Sequence, residues 1–203
     1  MDGFIFSGGE DVYPGVYGQT CHELSHYCHK RDNLEQLLML EVLKAKKPVL
    51  AICRGMQLLL VVNGAKAMIQ HLPEYDSENS NLVYKDERKW SHIAHHLELE
   101  KNSLLASVIS SQSLEMNSIH HQGVLNLGSN HNGLEVVSKV GQVIEVVESK
   151  TLPIIGIQGH PEAVIAASKM PENITNLQIQ SGAVSCERIF EWLVTQCEKP
   201  LIH

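Results

Sequence analysis

Ala51-Ile52-Cys53-Arg54-Gly55-Met56-Gln57 places a single cysteine between two apolar runs of different length. Before it, Pro48 to Ile52 is a short apolar run. After it, Met56 and Leu58 to Val62 continue an apolar stretch too long for one strand, with Gly55 marking a sharp turn between the two. The reading is strand, tight elbow, helix. An elbow of this kind holds a nucleophile at a strained position and points the N–H of the following residue at whatever the nucleophile attacks. The unpaired N–H groups at the start of a helix also favour thiolate over thiol. Because free cysteine is among the most buried residue types, a structural Cys53 is the plain alternative. Other motifs have to decide between them.

One is Leu152 to Glu162, LPIIGIQGHPE. Ile154, Ile155 and Ile157 predict a buried strand that runs out at His160-Pro161-Glu162. In an extended segment residues i and i+2 share a side, so the Glu162 carboxylate reaches the His160 ring, and Pro161 stiffens the link. A cysteine, a histidine and a carboxylate that orients the histidine fill the three roles an activated thiol needs. Upstream, Phe4-Ile5-Phe6 reads as a strand feeding Ser7-Gly8-Gly9, where missing side chains let backbone N–H groups approach a substrate oxygen. Gly9 N–H and Arg54 N–H are therefore the candidate donors of an oxyanion hole.

The ordered set GGEDVYP (Gly8 to Pro14), CRGMQ (Cys53 to Gln57), NSIHHQGV (Asn117 to Val124) and GIQGHPE (Gly156 to Glu162) resembles the class I glutamine amidotransferase superfamily. The wording is closest to its gamma-glutamyl-gamma-aminobutyrate hydrolase-like branch, and the likeness extends from about Asp2 to about Ile165. The resemblance implies an open, mostly parallel, doubly wound α/β sheet of flavodoxin-like type, with Cys53 as nucleophile, His160 as acid and base, and Glu162 as its partner. It further implies that Gln57, His120, His121 and Gln122 line a pocket for the glutamyl group. The implied chemistry is cysteine-dependent hydrolysis of a gamma-glutamyl amide through a thioester, with a small-molecule substrate and no cofactor. Two alternatives stay open: a glutaminase subunit passing ammonia to a separate synthetase, and a remnant of weak or no activity. Three departures stand out. Ala51 replaces a glycine before the nucleophile. Gly159 replaces an aromatic residue before the catalytic histidine, which predicts a thinner, wetter pocket wall. Relatives also have a further strand, helix and strand ahead of the segment that begins this chain, so residues 1–203 are expected to be one domain lacking its front edge. Phe4 to Phe6 then becomes an exposed edge strand open to self-association or to a partner chain.

With 203 residues, 43% of them hydrophobic, the chain is long and apolar enough to fold as one domain. A net charge of −7 and the lack of a basic stripe argue against nucleic acid. No apolar run is of membrane-spanning length. Five cysteines without an export signal predict reduced thiols and a cytoplasmic location. Cys21, His22, His26, Cys28 and His29 would permit a tetrahedral zinc site in principle, but they match no paired-ligand spacing, and a solvated loop is the expectation. His92, His95 and His96 are expected on the surface.

The remaining elements follow from periodicity. A helix is predicted from about Arg31 to Lys46, burying Leu34, Leu37, Leu38 and Val42. Pro73 to Lys89 reads as loop, and His92 to Leu99 and Gln142 to Glu148 as hairpin-like strands punctuated by Gly133 and Gly141. A last helix, Val184 to Gln196, is predicted to pack Val184, Ile189, Trp192 and Leu193 on the sheet.

Overall fold

The structure is a computed structural model, and residues 1–75, 90–128 and 131–199 are described. In chain order the elements are β1 (Phe4–Phe6), α1 (His29–Lys44), β2 (Val49–Ile52), α2 (Arg54–Val62), β3 (Met68–Ile69), α3 (Leu72–Tyr75), β4 (His95–Glu98), α4 (Leu104–Ile109), β5 (Ser113–Met116), β6 (Gly123–Val124), β7 (Leu134–Val140), β8 (Val143–Ser149), β9 (Ile154–Ile157), α5 (Pro161–Ser168) and α6 (Leu177–Cys197). Most of the predicted Pro73 to Lys89 loop lies outside the described residues, and its first residues belong to α3.

The central sheet has the order β1-β2-β9-β8-β7. β1, β2 and β9 are parallel neighbours, β8 runs against β9, and β7 runs against β8. All four residues of β2 and all four of β9 are buried, as expected of strands covered on both faces. Val49, Ala51 and Ile154 join α2 residues such as Met56 and Leu59 in one apolar layer. Leu50, Ile52, Ile155 and Ile157 join Ile109, Val164 and Ile189 of α4, α5 and α6 in the other. The fold is thus a doubly wound α/β sheet, and the carboxyl ends of β1, β2 and β9 come together at one edge of the layer sandwich, where ligands bind in such sheets. β4 and β5 form a separate antiparallel pair.

Three expectations about faces are corrected. α1 does not bury its leucines: Leu34 and Leu37 are 67% exposed, and its buried residues are Asp32, Met39 and Val42. The cause is Arg54, which is 1% exposed and draws Asp32 and Glu35 inward as ion-pair partners, so that electrostatics rather than apolar periodicity sets the face. In α6, Ile189, Trp192 and Leu193 are buried as predicted but Val184 is exposed; Cys186, Ala183 and Ile179 complete the inner stripe on a helix that begins earlier than expected. His95 is buried, since alternation along β4 turns it inward while His96 faces outward to Glu115. Burial pushes the His95 imidazole below its ordinary value.

β1 has β2 as its only strand neighbour in the sheet among the described residues, and Ile5 on it is half exposed.

Candidate active site

Cys53 connects β2 to α2 with φ 49° and ψ −107°. That positive φ is costly for any residue with a Cβ and is tolerated where the surroundings over-determine it. Here the Cys53 N–H donates to the Ile157 carbonyl at 2.7 Å, extending the β2–β9 ladder up to Cys53, and α2 starts at once with Arg54. Gly55 does not make the turn, as its position suggested. It lies in the first turn of α2, where a Cβ would stand 2.1 Å from the Phe6 carbonyl oxygen. Its smallness lets β1 run under the helix start.

His160 follows β9 and caps α5, so Glu162 reaches it from the first turn of a helix and not along an extended strand. The contact itself is as predicted: Nδ1 lies 2.7 Å from Glu162 Oε1, which assigns the Nδ1 proton as donor and leaves Nε2 for Cys53. Asn117 clamps the residue from behind. It accepts the His160 N–H at 2.8 Å and donates to the His160 carbonyl at 3.2 Å. Burial would lower the His160 imidazole, but a hydrogen bond to Cys53, a second to Glu162 and the charges of both outweigh it, raising the group to about 10 from an ordinary 6.5. A histidine so placed keeps its proton at neutral pH.

On the far side of the ring lies the Ser7-Gly8-Gly9 loop. A Cβ on Gly8 would stand 2.5 Å from His160 Cε1, so only glycine allows this approach. Gly9 has φ 147°, in the region that favours glycine. Arg54 N–H occupies the first position of α2 and has no acceptor within the helix.

Behind Cys53 is a buried polar layer. Gln158 Nε2 lies 3.6 Å from Cys53 Sγ, and Gln57 Nε2 donates to Gln158 Oε1 and to the Gln122 carbonyl, each at 3.2 Å. His120 Nδ1 donates to the same Gln122 carbonyl at 2.8 Å, and its Nε2 is 3.8 Å from Glu145 Oε1. Burial drives both members of that last pair toward neutrality, His120 down to about 3 and Glu145 up to about 8. His121 turns elsewhere, to Asp11 at 3.0 Å. Gln57, His120 and Gln122 are thus brought together beneath Cys53, and His121 lies beside the Gly9 loop's own Asp11.

The thin wall predicted at Gly159 is corrected. A Cβ there would stand 2.2 Å from Met116 Cγ, and Met116 is fully buried, so methionine fills the volume that the glycine vacates. Of the histidine-rich loop, His22 pairs with Glu74 and His29 meets the rings of Tyr13 and Tyr27 edge-on. Among the described residues no three His, Cys, Asp or Glu side chains converge in a way that would hold a metal ion. Asn117 and Gln158 both lie inside the quoted motifs, but nothing in their spacing marks an amide as a clamp.

The peptidase C26 family model matches residues 1–162. The chain belongs to the peptidase C26 family. Its relatives include a Schizosaccharomyces pombe protein named as a glutamine amidotransferase, 34% identical over 88% of this chain and 68% of the relative. They also include protein NtpR of Enterococcus hirae, 30% identical over 89% of this chain and 74% of the relative. Gamma-glutamyl-gamma-aminobutyrate hydrolase PuuD of Escherichia coli K12 is 28% identical over 80% of this chain and 64% of that protein. The chain therefore spans about two thirds of the length of the curated relatives it matches. A solved glutamine amidotransferase from Thermotoga maritima shares the fold, with TM-score 0.58 and 16% identity over 90% of this chain and 76% of that one. As in the sequence, the likeness is to hydrolases and amidotransferases. No helix among the described residues is long and apolar enough to cross a membrane.

Proposed function

We propose that this chain hydrolyses gamma-glutamyl amides, with Cys53 as nucleophile. One observation carries the reading: Cys53 sits in a strained strand-to-helix elbow beside His160, whose Nδ1 is held by the Glu162 carboxylate at 2.7 Å and whose proton is favoured by both Cys53 and Glu162. Cys53 Sγ attacks the gamma-carbonyl carbon, and the developing oxyanion is received by the N–H groups of Gly9 and Arg54. His160 Nε2 gives its proton to the leaving amine as the C–N bond breaks, leaving a glutamyl thioester. His160 then takes a proton from water, the hydroxide adds to the thioester, and collapse releases glutamate and returns the proton to the pair. Glu162 holds the Nδ1 proton in place throughout. Gln57, Gln122 and His120 serve the glutamyl end, a role consistent with their grouping around Cys53, and His121 serves it from the side of the Gly9 loop, where it pairs with Asp11. The substrate class is supported by the likeness to the hydrolase PuuD and by the motifs this chain shares with the gamma-glutamyl-gamma-aminobutyrate hydrolase-like branch.

Glutamate release by the purified chain from gamma-glutamyl-aminobutyrate, other gamma-glutamyl amides and free glutamine tests the proposal. Turnover of amides that disappears in Cys53→Ala is expected. Glutamine hydrolysed faster than every larger amide would favour a glutaminase subunit instead, and no release from any of them would overturn the hydrolase reading.

A further inference from the structure

The two backbone donors proposed for the oxyanion come from separate loops, one after β1 and one after β2. A single chain of charges ties those loops together. Arg31, on the first turn of α1, donates through Nη2 to the Gly8 carbonyl at 3.0 Å and to the Ser7 carbonyl at 3.3 Å. Its Nη1 meets Glu10 Oε2 at 2.6 Å and its Nε meets Glu35 Oε1 at 2.8 Å. The other Glu35 oxygen accepts from Arg54 Nη1, and Arg54 Nη2 pairs with Asp32 Oδ1 at 2.6 Å. The chain Glu10, Arg31, Glu35, Arg54, Asp32 therefore starts beside Gly9 and ends under the elbow.

The geometry of a peptide bond gives this arrangement a consequence. In a trans peptide the C=O and the following N–H point in opposite directions. A guanidinium that holds the Gly8 carbonyl turns the Gly9 N–H away from itself. The loop has Arg31 against one side, where a Cβ on Gly9 would stand 2.0 Å from Nη1, and the His160 ring against Gly8. The planar fork suits the task, because it serves two carbonyls and two carboxylates at once, which a lysine ammonium does not. The pair with Glu10, 46% exposed, contributes little to stability, so the value of that contact is in aim.

We propose that Arg31 is a positioning residue for the oxyanion hole, fixing the Gly8–Gly9 peptide plane and, through Glu35 and Arg54, holding both oxyanion donors as one unit. This rests on the hydrolase reading above. Complete loss of one oxyanion donor lowers kcat by roughly 10²–10³-fold, and a misaimed donor is expected to lower it by about 10- to 100-fold. KM should change much less, because the effect falls on the transition state. The test compares parent, Arg31→Lys and Arg31→Ala for kcat and KM on a gamma-glutamyl amide. It adds inhibition by glutamate gamma-semialdehyde, which would form a hemithioacetal with Cys53 and present an oxyanion to the same donors. Both variants should lose kcat and aldehyde affinity together while keeping the parent's thermal midpoint within a few degrees, and added guanidinium ion at low millimolar concentration should restore part of the kcat of Arg31→Ala. An active parent with Arg31→Ala equal to it overturns the role of Arg31 alone. So does a loss of kcat that guanidinium leaves unrestored and that a fall in thermal midpoint accompanies. A parent that neither releases glutamate nor binds the aldehyde overturns the hydrolase reading, and the role of Arg31 with it.

Discussion

Replacing Asp32 by alanine should destabilise this protein more than replacing any leucine on the same helix. Asp32 is 1% exposed and holds Arg54, which is equally buried, at 2.6 Å; it also accepts the Tyr13 N–H at 3.3 Å. Arg54 Nε already has no hydrogen-bond partner among the described residues. Without Asp32 the guanidinium keeps only Glu35, itself shared with Arg31. Removing one partner of a buried ion pair costs about 3–5 kcal/mol, because the other charge is left in a poorly solvated place. In a domain of this size each kcal/mol moves the thermal midpoint by about 2–4 °C, so a fall of roughly 6–20 °C is expected. Urea denaturation of parent, Asp32→Ala, Arg54→Met and the double variant is the assay. The double variant should be clearly more stable than the sum of the single losses, since it no longer buries an unpaired charge, and Arg54→Met keeps the backbone N–H at the elbow. A loss below about 1 kcal/mol in Asp32→Ala, or strict additivity in the double variant, would refute the view that this pair sets the inner face of α1.

Cys53→Ala should fold normally and lose turnover by at least roughly 10⁴-fold, and an electrophilic glutamine analogue should label Cys53; an adduct mainly on Cys21 or Cys28 would overturn the assignment. Because His160 is held up at about 10, the proton it gives to the leaving amine is present at neutral pH and lost only as pH rises through that value, so kcat/KM should fall on an alkaline limb near 10. Glu162→Gln removes one of the interactions that raise it and should move that limb to lower pH while leaving residual activity; a limb unmoved in this variant would make Glu162 structural. Gly55→Ala should destabilise by about 1–3 kcal/mol and slow turnover, as its methyl would displace the end of β1; parent-like urea curves would refute the close approach. Light scattering on residues 1–203 is expected to find concentration-dependent association through the side of β1 that has no strand neighbour among the described residues, and a monodisperse monomer would refute it.

The elbow, the histidine with its carboxylate and the parallel strands carrying them are legible in the sequence because each is local: an apolar run ends, and a chemically distinct residue follows. The inner face of α1 is not. Leu34, Leu37 and Leu38 display the spacing of a core stripe, but Asp32, Glu35, Met39 and Val42 have it too, and only the buried Arg54 in another element decides between the two faces. Arg31 is hidden for the same reason, since its partners at Ser7 and Gly8 are backbone carbonyls that no sequence pattern marks. Asn117 and Gln158 lay within recognised motifs, yet their roles depend on distances across the sheet. At Glu162 the predicted contact forms by another route, from a helix start in place of an extended segment.

Met116 and Gly159 illustrate how such a site constrains its own evolution. The two positions divide one volume, the glycine leaving a space and the methionine occupying it. An aromatic residue arriving first at 159 would collide with a fully buried side chain next to His160, whereas a smaller residue arriving first at 116 would leave only a cavity. Mutational paths from this chain to one with an aromatic residue at 159 therefore run in one order, shrinking 116 before enlarging 159, and the intermediate on that path is less stable but still has room for its histidine.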